Sequence, residues 1–139
     1  MASRYYKGPE LLVDDRKYHY SLDIWSLGCT FAGMLFKIDT FFKGSDNFDQ
    51  LVRIVNVMGT DKLRDYLRKY KLNLPKECAK VIKPTAQIPF AEYVNKRNED
   101  RVSQEAIDLL EKMLVYDKNE RITPRDAMNH PFFDPIKNL

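Results

Sequence analysis

The longest uncharged apolar stretch of the chain runs from Ile24 to Phe36, thirteen residues between Asp23 and Lys37. Across Ser21 to about Lys37, Leu22, Ile24, Trp25, Leu27, Cys29, Phe31, Ala32, Met34, Leu35 and Phe36 fall on every face of a helix. A helix that is apolar all round is buried on all sides, so the pattern predicts a central helix, with Ser21 as its N-cap. Phe48, Leu51, Val52, Ile54, Val55 and Met58 instead form a stripe, which predicts an amphipathic helix from Asp46 to Met58. Asp46 caps it, Asp49 favours its positive end, and Gly59 supplies a left-handed stop. Thr60 is expected to cap a short basic helix to about Lys71, with Leu63, Tyr66, Leu67 and Tyr70 on one face.

Ser103 opens a further helix to about Tyr116, with Ala106, Ile107, Leu109, Leu110, Met113 and Leu114 inward. Thr123-Pro124-Arg125-Asp126 is a capping-box pattern with proline in the first turn, starting a short helix that Pro131 ends. Pro9 suits the first position of a short turn, Pro9 to Val13, because its missing N–H costs nothing there. Residues 72–101 hold Pro75, Pro84 and Pro89 with weak periodicity and are expected to be mostly loop with short turns. With no strand alternation and no internal repeat, the expected fold class is all-α, in one domain spanning residues 1–139.

Composition narrows the class. A chain of 139 residues, 44% hydrophobic and 31% charged, suits one globular domain and argues against disorder or low complexity. Such a domain buries roughly two-thirds of its unfolded surface. Lys and Arg exceed Asp and Glu by 23 − 20 = 3, too mild an excess for a nucleic-acid partner to be expected. Thirteen apolar residues fall short of the about twenty that a spanning helix needs, so no membrane partner is expected either. Arg4, Lys7 and Glu10 interrupt any apolar run after Met1, so no signal peptide is expected. Cys29 and Cys78 lack a partner motif and read as reduced thiols, which points to an intracellular protein. Arg64, Arg68, Lys69 and Lys71 make a basic face that Asp61 and Asp65 dilute, which reads as a solvated helix face.

The sequence carries little chemistry of its own. Gly28-Cys29-Thr30-Phe31-Ala32-Gly33 has the glycine spacing of a phosphate loop, but Met34-Leu35 stand where Lys and Ser or Thr would hold phosphate and magnesium. Two glycines inside a buried helix are better explained by close helix packing. G-x-G-x-x-G, G-x-S-x-G, H-E-x-x-H and C-x-x-C are all missing from the sequence. His19 and His130 are far apart and read as surface or hydrogen-bonded histidines rather than a metal pair.

Four stretches in order give a different kind of information. Ser3-Arg4-Tyr5-Tyr6-Lys7-Gly8-Pro9-Glu10 resembles the end of a eukaryotic protein kinase activation segment, usually A-P-E and here Gly8-Pro9-Glu10. Asp23-Ile24-Trp25-Ser26-Leu27-Gly28 resembles the D-x-W-S-x-G start of the central helix of the large kinase lobe. Asp117-Lys118-Asn119-Glu120-Arg121-Ile122-Thr123 resembles the segment whose arginine pairs with the A-P-E glutamate, and His130-Pro131-Phe132-Phe133 resembles the end of the domain. Together with Phe41-Phe42-Lys43-Gly44 and Asp49-Gln50-Leu51-Val52-Arg53-Ile54, the set is similar to the casein kinase II catalytic subunit family. Residues 72–101 match that family least.

The resemblance implies a C-terminal helical lobe fragment of a Ser/Thr protein kinase that phosphorylates acidic contexts with ATP or GTP and magnesium. It implies that Arg4 and Lys7 attract the acidic residue after the phospho-acceptor, and that Ser3 hydrogen-bonds the catalytic aspartate. Glu10 and Arg121 are implied to form a buried ion pair, and Asp23 to receive catalytic-loop N–H groups; with Trp25 these are structural residues. The glycine-rich loop, strand lysine, helix glutamate, H-R-D-x-x-x-x-N and D-F-G of a kinase do not occur in the sequence. No catalytic, cofactor-binding or metal-binding residue is therefore expected in this chain, which is expected to be inactive alone. Acidic proteins are the expected partners, a regulatory subunit would contact mainly the absent N-terminal lobe, and the implied location is cytoplasm and nucleus. A proline-directed kinase of the same group and a non-catalytic interaction module are the alternatives.

Overall fold

The computed structural model describes residues 3–15 and 19–138. Among them all regular structure is helical: α1 (Pro9–Leu12), α2 (Ser21–Phe36), α3 (Asn47–Met58), α4 (Thr60–Tyr70), α5 (Lys76–Val81), α6 (Gln104–Met113) and α7 (Pro124–Met128). Tighter 3-10 turns cover Ser3–Tyr6, Phe90–Tyr93 and Pro131–Ile136. The all-α expectation holds.

Three caps lie where the sequence puts them. Asp46 accepts from Asp49 N–H, Ser103 from Ala106 N–H and Thr123 from Asp126 N–H, each satisfying a donor that the first helical turn leaves open. Two do not. Ser21 is the first helical residue rather than the N-cap of α2, because Tyr20 takes that position in right-handed geometry. Thr60 likewise starts α4 instead of capping it: its hydroxyl and amide are engaged by Thr85. Gly59 serves as C-cap of α3 and N-cap of α4 with φ 86°, and a side chain there would run into Gln87 N at 2.8 Å. Helix α6 stops at Met113, three residues short of the predicted Tyr116. The segment 72–101 is mostly loop, as expected, with one helical turn and a half in α5.

Helix α2 is the centre of the fold, but it is not buried on all sides. Ile24, Trp25, Gly28, Cys29, Ala32, Leu35 and Phe36 are buried, whereas Asp23, Leu27, Thr30 and Met34 form an exposed stripe with no described element against it. The inward face packs on α6. At Gly28 a Cβ would lie 2.9 Å from Leu114 Cδ2 and 3.1 Å from Met113 Cβ, so the glycine permits the close approach of the two helices. Trp25, fully buried, stacks on Phe42 at 5.9 Å, and Leu51, Ile54, Leu110 and Leu114 complete the core around it. Each such side chain contributes about 1.5–3 kcal/mol by leaving water. Cys29 is a free thiol in this core, and burial pushes its pKa up to about 12, so it stays protonated.

Candidate functional site

Ser3 to Glu10 forms one edge of the molecule, and its anchor is Glu10. Gly8 is extended, Pro9 starts α1, and Glu10 turns inward with no exposed surface. Arg121 meets it with two parallel hydrogen bonds, Nη1 to Oε2 and Nη2 to Oε1, both 2.7 Å. The guanidinium spends its remaining N–H groups on backbone: Nη1 on Ser21 O (3.0 Å), Nη2 on Tyr116 O (3.2 Å) and Nε on Val115 O (2.8 Å). All of its donors are thus satisfied, which is what a buried cation requires. Its plane lies over the Trp25 ring at 5.2 Å. In α2, Trp25 Nε1 and Ser21 Oγ are buried without a hydrogen-bond partner among the described residues. A methyl group on Gly8 would overlap the Glu10 carboxylate as it is placed here.

The rest of the edge is tied to the loop between α2 and α3 and to the first residue of α3. Arg4 Nε donates to Gly44 O at 2.9 Å, and its guanidinium lies over the Tyr5 ring at 5.5 Å. Lys7 Nζ donates to Asn47 Oδ1 at 3.2 Å. Both cations are half-buried at the stem. Gln50, fully buried, holds the arrangement from beneath: its amide donates to Phe42 O (2.9 Å) and Tyr5 O (3.4 Å) while its carbonyl accepts from Gly44 N–H (2.9 Å). Ser26 Oγ donates to Tyr6 O at 2.8 Å, fixing the same segment to α2. Asn47 does not stand out in the sequence, and Gln50 is visible there only as one residue of the stretch from Asp49 to Ile54 and as a polar position inside an apolar helical stripe.

The other predicted residues take no part in these hydrogen bonds. Ser3 is exposed in its 3-10 turn, and Asp23 is exposed in the first turn of α2 with no side-chain hydrogen bond among the described residues. His130 is buried, its Nε2 2.6 Å from Asp108 Oδ2 and its Nδ1 accepting from Phe132 N–H. Lys112 and His130 together hold the Asp108 carboxyl below its usual pKa. His19 lies on the surface, and its Nδ1 accepts from Ser21 N–H at 3.5 Å.

A second buried ion pair, between Asp15 and Lys118, joins the end of the Glu10 turn to the Arg121 segment, and Tyr66 OH donates to the same Asp15 carboxylate at 3.1 Å. Burial and the neighbouring carboxylates raise the Tyr66 pKa. In Asp117 burial pulls the carboxyl upward, but bonds from Lys69, Tyr70 and the Asn119 amide outweigh it and leave the pKa low. These contacts tie the Asp117–Arg121 turn to α4 and to the end of the Glu10 turn.

Among the described residues no three His, Cys, Asp or Glu side chains gather to hold a metal ion. The Gly28–Gly33 spacing lies within α2, where Gly28 is filled by Leu114 and Gly33 by the Ile38 carbonyl, leaving no cradle for phosphate. No described helix is long and apolar enough to cross a membrane. What the edge offers is two cations on a braced loop. In comparison with known families, the protein kinase domain model matches residues 1–133.

Proposed function

Since the chain belongs to the protein kinase domain family, we propose that it is the substrate-selecting and scaffolding part of a Ser/Thr kinase of the casein kinase II type. In this reading the whole enzyme transfers the γ-phosphate of ATP or GTP to Ser or Thr in acidic contexts, and acidic proteins are its partners. The upstream half of the domain supplies the nucleotide and magnesium site, and this chain alone does not turn over. The observation that carries the reading is that Arg4 and Lys7, on the segment that Glu10 anchors, are held against Gly44 and Asn47. Arg4 Nη1 and Nη2 make no hydrogen bond among the described residues, which leaves a planar fork for a carboxylate.

The test uses the full kinase that contains this chain, with Arg4→Ala and Lys7→Ala combined. Losing charge-assisted hydrogen bonds of about 1.5–3 kcal/mol raises KM for an acidic peptide by about tenfold or more, with kcat little changed. KM for a peptide with a Ser-Pro site and no acidic residues stays the same. Equal losses on both peptides, or unaltered preference for the acidic one, would rule the assignment out.

A further inference from the structure

The basic helix α4 divides its cations between two environments. Lys69 reaches across to Asp117 (2.7 Å) and Glu120 (3.5 Å). Arg64 and Arg68 face the other way, over a groove of about 550 Å³ between α4 and the returning segment 71–84. Its floor is apolar: Leu63, Leu67, Leu72, Leu74, Ile82 and Pro84. Its charged rim is Arg64, Arg68, Lys71 and Lys83, with no carboxylate lining it. Of these four, only Arg64 has an ion-pair partner among the described residues, the exposed Asp61 at 3.8 Å.

Both ends of the groove are stitched by hydrogen bonds. At one end Thr60 N–H donates to Thr85 O at 2.9 Å, and Thr85 N–H donates back to Thr60 Oγ1 at 3.0 Å. At the other, Leu72 N–H donates to Leu67 O at 2.8 Å across Lys71, whose φ of 54° turns the chain back. Cations in the last turn of a helix interact favourably with its negative end, and this accounts for Arg68 and Lys71. It does not account for Arg64, a turn earlier, or for Lys83, which comes from the opposite wall.

We propose that this groove binds an acidic peptide segment of a partner protein, with apolar side chains on the leucine floor and carboxylates at the rim. A single fatty-acid carboxylate would answer one rim cation and leave the others unmatched. A bare polyanion would answer the rim and leave the floor in water. A segment mixing several carboxylates with branched or aromatic anchors satisfies both, with the two arginines offering bidentate forks. The elements involved are not those that hold Arg4 and Lys7, so the site stands whether or not those residues select substrate.

The probe is a pool of short fluorescent peptides combining Asp or Glu with Leu, Ile or Phe, titrated into the full chain by anisotropy. The same titration is run with R68E/K71E, and with K96E/R97E as an equal charge change at exposed residues elsewhere; melting curves confirm that both variants fold. Saturable binding is expected, weakened about tenfold or more by R68E/K71E and little by K96E/R97E, and lost when the apolar residues become Ser. Absence of saturable binding overturns the proposal, as does an equal loss in both variants. Equal or tighter binding of polyglutamate, of a single-stranded oligonucleotide or of anionic vesicles would also overturn it, because the rim alone would then suffice.

Discussion

Arg121 uses every donor it has, and the two strongest go to Glu10. Replacing Glu10 by Gln removes the charge and leaves a guanidinium buried without compensation, which costs about 3–5 kcal/mol. That is a large share of the roughly 5–15 kcal/mol that holds a typical domain together. Urea unfolding of E10Q is therefore expected to show a midpoint far below that of the wild type. The double variant E10Q/R121M should lose less than the sum of the two single changes, because no charge is then stranded. Full additivity would mean that the pair is not coupled. The neighbouring Asp15–Lys118 pair obeys the same rule, with Tyr66 OH supplying an additional bond to the carboxylate.

Between elements, the tightest constraint is the contact of α2 with α6 at Gly28. Gly28→Ala puts a methyl 2.9 Å from Leu114 Cδ2, and the overlap is expected to destabilise the chain by about 1–3 kcal/mol, read from its melting temperature. A neutral or stabilising effect would show that the helices can part at no cost. How far such elements were legible depends on how local their causes are. Asp46, Ser103 and Thr123 could be read as caps because each bonds an amide three residues on. Ser21 and Thr60 are residues of capping type that do not cap, since Tyr20 and Gly59 hold those positions and the Thr60 partner, Thr85, is 25 residues away. The same limit hides Gln50, whose bonds join two loops, and the Asp15–Lys118 pair, separated by 103 residues. Glu10 and Arg121 were legible only through the family resemblance; composition and periodicity carry no sign of them.

For the whole molecule, the open side of α2 decides how the chain behaves in solution. Leu27 is 56% and Met34 64% exposed on one stripe, and Tyr20 is 63% exposed at the head of the helix. Large apolar side chains exposed in this way favour association. The chain by itself is expected to self-associate or to bind an apolar-surface dye, and L27E/M34E to elute as a monomer with less dye bound. A wild-type chain that is monomeric and dye-silent would contradict this. The Glu10–Arg121 pair has a consequence in time as well as in energy, because it closes a loop of 111 residues. Closing so long a loop is entropically costly before other contacts have gathered the chain, and contacts of such high order form late. An interaction absent from the transition state leaves the rate of folding almost untouched and slows the reverse step instead. The pair is therefore expected to work as a latch, doing little to help the domain assemble and slowing its unfolding.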